Sequence, residues 1–372
     1  MKKVLITGSR GFIGRNLLQF LSSLGEIDIV EFTKQNSLEE LGTILPTIDF
    51  IYHLAGVNRP QRPEEFYEGN TRLTEQIIAL IKRKNLKIPM LYTSSVYAEA
   101  DNDYGRSKRQ AEELLIEYSK KNCVPVYIYR LPNVFGKWSR PNYNSVVSTF
   151  CYNISHGLDI EIHEPAKIVQ LVYIDDVVKA FAELLSPKAT TEASFCSVSP
   201  VYRVTVGELA ENIKTIRDIR KNLTVPDLSD RMTKLLHTTY LSYLDNENFA
   251  YDLDEKSDLR GRFIEVLKSQ EGGQVSISYS KPGVIRGNHY HNTKNEKFIV
   301  IKGKAKINFR NIMERTVTEY LVSSEKPQVI DIPPGYTHNI ENIGEDEMIL
   351  LIWANECFDP DKPDTFYCEV KK

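Results

Sequence analysis

The spacing of apolar residues changes character about two thirds of the way along the chain. Up to about residue 240, short apolar runs such as FIYHLAG (50–56) and MLYTSSVY (90–97) alternate with segments of helical periodicity such as residues 71–85. Strands that alternate with helices predict an α/β fold with a doubly wound, Rossmann-type parallel sheet. Beyond about residue 260, short strands with alternating apolar residues follow one another between turns. That pattern predicts an all-β barrel or jelly roll.

An acidic, polar stretch, LSYLDNENFAYDLDEKSD (241–258), separates the two patterns. It places the join between about 240 and 260. We therefore expect a first domain over residues 1–245 and a second over residues 250–372. Two domains suit a chain of 372 residues, since a domain has about 100–200.

Composition narrows the class of protein. The chain is 41% hydrophobic with a net charge of −3, which argues against a nucleic-acid or membrane-surface role. No apolar run approaches the ~18 residues that span a bilayer, and the N-terminus MKKVLITGS enters a strand rather than a signal peptide. Because Cys123, Cys151, Cys196, Cys357 and Cys368 show no C-x2-C spacing, we expect them to be reduced, in a cytoplasmic protein.

A glycine-rich turn follows the first predicted strand. In KVLITGSRGFIGRNL (3–17), Gly8, Gly11 and Gly14 are spaced G-x2-G-x2-G and lead into a helix. Glycines allow a tight turn and a close approach of the backbone to a pyrophosphate, whose charge the helix N-terminus meets. We therefore predict a dinucleotide site at Gly8, Gly11 and Gly14.

Tyr104 and Lys108 form a Y-x3-K pair at the start of an amphipathic helix. They lie one turn apart on the same face, so that the ammonium can lower the phenol pKa from its usual ~10. Such a pair is most often a surface pair. Its position after a hydroxyl-ending strand, in a domain with a glycine-rich turn, favours a catalytic role instead.

The segment GVIRGNHYHNTKNEKFIVIKG (283–303) carries the clearest chemistry of the second domain. Two histidines, His289 and His291, share one strand face, Glu296 begins the next apolar run, and His338 follows the turn in PPGYTHNIEN (333–342). Three imidazoles and a carboxylate suit Zn, Fe, Mn, Ni or Co. We expect one divalent transition metal, with Zn as the first choice. Both segments, in this order, resemble the two halves of the cupin signature, which implies a jelly-roll barrel.

The first 240 residues or so resemble the extended short-chain dehydrogenase/reductase family. Further similarities are Asn70, the segment RLPNVFG (130–136) and the segment VYIDDV (172–177). The resemblance implies that Tyr104 donates a proton, that Lys108 holds the nicotinamide ribose, and that Asn133 binds substrate. It also implies that a hydroxyl polarises the substrate carbonyl, either Thr93 or Ser94. The loop between that hydroxyl and Tyr104 is shorter than in relatives, and the S-x-x-V-Y register is one residue short.

Cofactor choice depends on the second strand. An acid at its end typically bonds the ribose of NAD, whereas a 2′-phosphate requires cations. Lys34 follows this strand and Arg10 lies within the glycine turn, and both are cations that can pair with a phosphate. We therefore expect NADP(H) rather than NAD.

The segment GVIRGNHY (283–290) also resembles nucleotide-sugar 3,5-epimerases, which are cupin-like barrels without a metal. By that resemblance Arg286 binds substrate, His289 is the base that removes a proton next to a ketone, and Lys297 steadies the enolate. His289 thereby has two assignments. Either His291, Glu296 and His338 hold the metal, or His289 is a ligand and another group is the base.

A reductase domain followed by an epimerase-like cupin resembles a family of bifunctional enzymes of bacterial capsular polysaccharide synthesis. The resemblance implies that the cupin inverts C3 of a UDP-linked 4-keto-6-deoxy-N-acetylhexosamine. The reductase then reduces the C4 ketone with NADPH, towards UDP-N-acetyl-L-fucosamine. Because cupins often dimerise, we also expect a homodimer.

Two alternatives stay open. One is a nucleotide-sugar 4-epimerase or 4,6-dehydratase joined to a metal-dependent isomerase cupin, although Ser95 and Val96 stand where a dehydratase has an Asp-Glu pair. The other is a nucleotide-sensing regulator with a structural cupin, since both folds host proteins that are not enzymes. The Tyr104 and Lys108 pair disfavours the regulator.

Overall fold

The structure is a computed structural model that describes residues 2–186, 193–253, 255–258, 261–264, 268–269, 273–356 and 361–371. For residues 224, 255–258, 261–264, 268–269 and 274 it describes the backbone alone. Contacts divide the chain into two compact units. The first unit comprises Met1–Ser145 and Ile168–Val204, and the second comprises Val146–Lys167 and Thr205–Lys372.

Side chains of Ser37, Asn102, Thr205 and Asp230 cap the N-termini of four α-helices, and Gly11 precedes another. The α-helices are α1 (Phe12–Ser23), α2 (Leu38–Ile44), α3 (Glu64–Phe66), α4 (Leu73–Arg83), α5 (Asp103–Asn122), α6 (Val146–Ser155), α7 (Ile174–Ala182), α8 (Val206–Asn222) and α9 (Arg231–Leu241). Short 3-10 turns cover Leu45–Thr47, Val96–Glu99, Glu183–Leu185 and Asn246–Asn248, and a π-helical turn covers Tyr67–Arg72.

The first unit is built on a parallel sheet with the order β2-β1-β3-β4-β5-β8. Its strands, together with those of a smaller sheet β6-β7-β9, are β1 (Lys2–Thr7), β2 (Ile27–Phe32), β3 (Phe50–His53), β4 (Met90–Ser95), β5 (Val126–Leu131), β6 (Asn133–Phe135), β7 (Ile168–Tyr173), β8 (Ala193–Cys196) and β9 (Tyr202–Thr205). Apolar residues of β1, β3, β4 and β5 pack against α4 and α5 to form its core. The predicted doubly wound parallel sheet is confirmed.

The second unit contains two five-stranded antiparallel sheets, β11-β20-β17-β22-β15 and β19-β18-β21-β16-β23. Short pairs β10-β14 and β12-β13 accompany them. The strands are β10 (Thr224–Val225), β11 (Ala250–Asp252), β12 (Glu255–Asp258), β13 (Gly261–Ile264), β14 (Lys268–Ser269), β15 (Gln274–Ser280), β16 (Ile285–Tyr290), β17 (Glu296–Lys302), β18 (Lys304–Asn311), β19 (Val317–Ser323), β20 (Gln328–Ile332), β21 (Tyr336–Asn342), β22 (Met348–Ala354) and β23 (Phe366–Tyr367). An all-β, cupin-like region follows the parallel sheet, as predicted.

Helices α8 and α9 pack within the second unit. Trp353 of β22 is buried against Val225 and Leu228, which connect these helices. The Arg220 guanidinium of α8 lies 3.7 Å from the Asp331 carboxylate of β20. Contacts thus group residues 205–249 with the β-sheets. The sequence instead predicts the join between the domains at residues 245–250, and this join stays a prediction.

The composition led to expectations about membrane-spanning segments and cysteines. Among them, no helix is both long and apolar enough to cross a membrane. Cys123, Cys151, Cys196 and Cys368 carry free thiols. Cys357 lies outside the described residues.

Candidate active sites

One pocket of about 920 Å³ in the first unit brings most of the predicted reductase residues together. Its lining contains the predicted residues Gly8, Arg10, Gly11, Gly14, Thr93, Ser94, Tyr104, Lys108 and Asn133. They come from the ends of β1 and β4, from the start of α5 and from β6. Parallel strands that end at one sheet edge account for this convergence, which is where α/β folds place their ligands.

The glycine turn fits a dinucleotide. A Cβ on Gly14 would lie 2.2 Å from the Gly8 carbonyl oxygen, so that only glycine lets α1 begin this close to the turn. Helix α1 starts after Gly11 with no side-chain cap and no acidic residue in its first turn. Its first N–H groups therefore border the pocket and are available to an anion such as a pyrophosphate.

The N-terminus of α5 positions Tyr104 and Lys108. The Asn102 side chain caps this helix by accepting the Gly105 N–H at 2.8 Å. Lys108 is buried, and its Nζ donates to the Thr93 carbonyl at 3.0 Å and lies 4.9 Å from the Tyr92 ring centroid. The backbone of β4 thus holds the ammonium in place.

The pKa values in this pocket correct one prediction. Burial lowers the pKa of Lys108 to about 8, and the Glu112 carboxylate opposes that shift. Burial raises the pKa of Tyr104, and the opposing influence is a hydrogen bond with the Ser95 side chain. The sequence pattern predicted that Lys108 would lower the phenol pKa, but desolvation of the half-buried ring dominates.

Ser95, which the sequence analysis did not single out, is the β4 hydroxyl next to Tyr104. Ser94 Oγ lies 2.5 Å from a Glu112 carboxylate oxygen, and Thr93 Oγ1 donates to the His53 carbonyl at 3.5 Å. Ser95 Oγ instead accepts the Tyr97 N–H at 3.2 Å and bonds Tyr104. Alternation along β4 was the available signal, because it puts Ser94 and Ser95 on opposite faces.

Arg10 and Lys34, the two cations predicted to bind a 2′-phosphate, lie in different places. Arg10 is exposed and lines the pocket, whereas the exposed Lys34 is not part of its lining. Asn133 lines the same pocket, and its Nδ2 donates to the Gln170 carbonyl at 3.3 Å. The structure thus brings Arg10 and Asn133 together with Tyr104, but not Lys34.

In the second unit, His289, His291, Glu296 and His338 form one cluster. One potential ligand atom from each residue lies within 4.8 Å of the others. The residues come from β16, from the turn after it, and from β17 and β21. Rings of Phe298 and Phe309 lie 5.7 and 6.4 Å from the His338 ring and make one wall apolar.

The hydrogen bonds of this cluster fit a bound cation. His291 Nδ1 lies 2.6 Å from the Asp364 carbonyl, so this nitrogen carries a proton, and Nε2 faces a Glu296 oxygen at 3.3 Å. If the imidazole is neutral, Nε2 has no proton, and its lone pair points at a lone pair of the Glu296 carboxylate. This arrangement is unfavourable unless a proton or a metal ion lies between the two atoms. The buried His338 Nε2 has no hydrogen-bond partner among the described residues and lies 3.6 Å from the same Glu296 oxygen. Burial lowers the pKa of His289 to about 3 and also lowers that of His338, which favours neutral imidazole ligands.

A β-bulge aligns Arg286 with the cluster. The pairing of β16 with β21 shifts between Gly287 and His289, so that His289 lies opposite His338 and Arg286 lies opposite Ile340. Directly opposed residues share a sheet face, and His338 and Ile340 are two apart. The Arg286 side chain therefore leaves the strand on the same face as His289. In a regular strand, residues three apart point to opposite faces. Gly287 at φ +104° makes the bulge possible.

Lys297 lies on the opposite face of β17 from Glu296. Its Nζ is 2.6 Å from Asp331 Oδ1 and 3.1 Å from the Tyr251 hydroxyl. Lys297 and Asp331 are directly opposed in the β17-β20 pairing. The structure therefore does not bring Lys297 together with His289, because neighbouring residues of a strand point to opposite sides of the sheet.

A glycine turn, a Tyr/Lys pair and a hydroxyl in one pocket define a short-chain dehydrogenase/reductase. The chain belongs to the NAD dependent epimerase/dehydratase family, whose profile matches residues 4–194. Residues 256–366 match the polysaccharide biosynthesis C-terminal domain. The protein is an enzyme of this family, which uses a nicotinamide cofactor.

Relatives cover the whole chain. A UDP-2-acetamido-2,6-beta-L-arabino-hexul-4-ose reductase of Pseudomonas aeruginosa is 48% identical over 368 residues, which is 99% of each protein. The crystal structure of the capsular polysaccharide assembling protein CapF from Staphylococcus aureus matches with 43% identity and a TM-score of 0.67, over 99% of this chain and 100% of that one. The spore coat polysaccharide biosynthesis protein SpsL of Bacillus subtilis is 30% identical over 122 residues, covering 30% of this chain and 81% of its own.

Proposed function

We propose that the enzyme performs two successive reactions on a UDP-linked 4-keto-6-deoxy-N-acetylhexosamine. The second unit inverts C3, and the first reduces the C4 ketone with NADPH, towards UDP-N-acetyl-L-fucosamine for capsular polysaccharide. The observation that carries the proposal is that one chain contains both a reductase pocket and a His/Glu cluster of its own. The name of the Pseudomonas aeruginosa relative supports the class of substrate.

In the reductase pocket, bound NADPH would supply the hydride. Tyr104 donates the proton that the C4 oxygen takes up when the ketone becomes an alcohol. Ser95 accepts the Tyr97 N–H and is hydrogen-bonded to Tyr104, so its O–H can turn from the phenol oxygen to the ketone oxygen of a bound substrate. Lys108 holds the nicotinamide ribose, and Asn133 contacts the sugar.

In the second unit, His289, His291, Glu296 and His338 would hold one divalent metal, with Zn as the first choice. A bound metal would stabilise negative charge on the ketone oxygen when a group other than His289 takes the C3 proton and a proton is returned to the opposite face of C3. Arg286 contacts the substrate at the same face. We propose His289 as a ligand rather than the base, because its ring lies 4.7 Å from the His338 ring and 5.0 Å from the His291 ring. Lys297, held by Asp331 on the other face, has a structural role.

The preference for NADPH is proposed to depend on Arg10 more than on Lys34. Arg10 lines the pocket next to the glycine turn, where a 2′-phosphate can pair with its guanidinium. Arg10→Ala is expected to raise the KM for NADPH about tenfold, as loss of one charge-assisted contact does. The KM for NADH should stay within about twofold.

We also propose a homodimer that works in the cytoplasm. Val275, Ile277 and Tyr279 alternate along β15, the last strand of its sheet, and each is more than half exposed. An exposed apolar strand of this kind supports pairing with a second copy.

We propose domain extents of 1–245 and 250–372. The two family matches support them, because one ends at residue 194 and the other begins at residue 256.

The experiment incubates the full chain with the 4-ketosugar and NADPH in deuterium oxide, with absorbance at 340 nm and NMR as readouts. The wild-type enzyme should oxidise NADPH, and its sugar product should carry deuterium at C3. Tyr104→Phe should exchange the C3 proton and accumulate the epimerised ketone. His338→Ala should lose the exchange. If exchange persists undiminished in His338→Ala, the cluster is not the epimerase site.

A further inference from the structure

Glu112 lies at the centre of a polar network behind the reductase pocket. It is on α5, one turn after Lys108, and its side chain is only 2% exposed. A buried carboxylate is costly unless it is paired. The partners of Glu112 therefore either also support the reductase pocket or only balance the buried charge.

Arg130 pairs with both oxygens of this carboxylate. Its Nε donates to Oε1 at 3.0 Å and its Nη2 donates to Oε2 at 2.7 Å. Its Nη1 reaches Glu99 at 2.5 Å, in the short turn after Ser95. One guanidinium thereby connects α5, β5 and the turn that precedes Tyr104.

Ser94 connects the network to the catalytic strand. Its hydroxyl donates to Glu112 Oε1 at 2.5 Å, and Ser94 is paired with Arg130 in the β4-β5 register. Because successive side chains of a strand alternate, holding Ser94 toward Glu112 turns Ser95 toward Tyr104. Ser94 thereby fixes the direction of Ser95, the hydroxyl assigned to the ketone in the proposed function.

Lys108 needs a compensating charge. Among the described residues, the titratable groups that interact with it are His53 on β3, Tyr92 on β4 and Glu112 on α5 itself, and Tyr104 lines the same pocket. His53 is held neutral, because burial lowers its pKa to about 3. Among these groups, Glu112 supplies the negative charge that opposes desolvation of the ammonium.

We propose that Glu112, held by Arg130, is a positioning residue of the reductase site. It orients the end of β4 through Ser94, and it places a negative charge one helical turn from the Lys108 ammonium. This inference rests on the proposed roles of Tyr104 and Lys108.

The test separates the two effects with two variants of the full chain. Glu112→Gln keeps an acceptor for Ser94 but removes the charge, so the Lys108 titration should move about one pH unit lower. Ser94→Ala removes only the link to β4, so kcat should fall about tenfold with no shift in that titration. Glu113→Gln, the same change at the exposed neighbouring position, is the control that should change neither quantity.

Two readouts make the result decisive. The 13Cε resonance of Lys108, assigned by its loss in Lys108→Arg, gives the titration without substrate, and the alkaline limb of kcat/KM should shift with it. An unshifted resonance in Glu112→Gln overturns the electrostatic role, and a kcat unchanged in Ser94→Ala overturns the positioning role. If Glu112→Gln does not fold, Arg130→Gln replaces it and should move the titration to higher pH. A wild type that leaves NADPH unoxidised refutes the proposed function, while the NMR titration still tests Glu112.

Discussion

Lys108 and Lys297 are both buried, one in each unit, and their surroundings are opposite. Lys108 lies on a helix near a carbonyl, an aromatic ring, a neutral histidine and the Glu112 carboxylate that Arg130 pairs, and burial lowers its pKa to about 8. Burial also disfavours the charge of Lys297, but Asp331 at 2.6 Å outweighs it and raises the pKa above its ordinary value. Lys108, for which we propose a catalytic role, thus stays near its titration point, whereas the charge of Lys297 is balanced by a buried carboxylate.

The largest expected effect tests this contrast. Lys297→Met should lower the free energy of unfolding of the second unit by about 3–5 kcal/mol, because it leaves Asp331 buried without its closest partner. Lys108→Met should abolish turnover but keep or raise stability, because it removes a buried ammonium whose charge the fold disfavours. Urea unfolding measures both.

The two tryptophans, Trp138 and Trp353, lie in different units, so that a Trp138→Phe background makes fluorescence a reporter of the second unit. The double variant Lys297→Met with Asp331→Leu should recover most of the lost stability. A Lys297→Met protein as stable as its parent would show that the pair does not support β17.

The next effect concerns the reductase pocket alone. Tyr104→Phe should lower NADPH oxidation at least 10²-fold, because the proton donor is lost. Cofactor binding, measured by NADPH fluorescence, should stay unchanged. Tyr67→Phe is the matched control, because Tyr67 is not in the pocket lining, although its hydroxyl donates to Asp103 of the lining at 3.0 Å. Substantial turnover in Tyr104→Phe would move the donor role to another group, with Ser95 the first to examine.

The third prediction concerns the second unit alone. Purified enzyme should contain about one transition metal per chain, and His338→Ala should weaken its retention against a chelator at least tenfold. Elemental analysis after dialysis measures the retention. His163→Ala, at a side chain 78% exposed, should retain metal like wild type. A metal-free protein with full C3 exchange would favour the metal-independent reading of Arg286 and His289.

The last prediction concerns the dependence on pH, where the effect is smallest near pH 8. The Lys108 ammonium is present below its pKa of about 8 and is lost above it. The kcat/KM for NADPH oxidation should therefore fall by about half near pH 8 and roughly tenfold for each further unit. Deuterium exchange at C3 should not follow that limb, because Lys108 belongs to the other unit. A reductase profile flat to pH 10 would exclude a protonated Lys108 as a requirement.

The two sites also differ in how far the sequence predicted them. Tyr104 and Lys108 are four residues apart on one helix, and Gly8, Gly11 and Gly14 occupy one turn, so that local periodicity was sufficient to group each set. The structure brings both sets to one pocket. For His289, His291, Glu296 and His338 the motif spacing was correct, but the cluster depends on strand pairing.

The sequence by itself determined the elements and the chemical character of both sites, because apolar periodicity and turn residues act over a few residues. Only the tertiary structure decided the directions of individual side chains. Ser95 rather than Ser94 faces Tyr104, since Glu112 and Arg130 hold Ser94 on the other side. The bulge at Gly287 brings Arg286 onto the face of His289, and Asp331 holds Lys297 on the face away from it. Such directions depend on partners far along the chain, which local patterns do not encode.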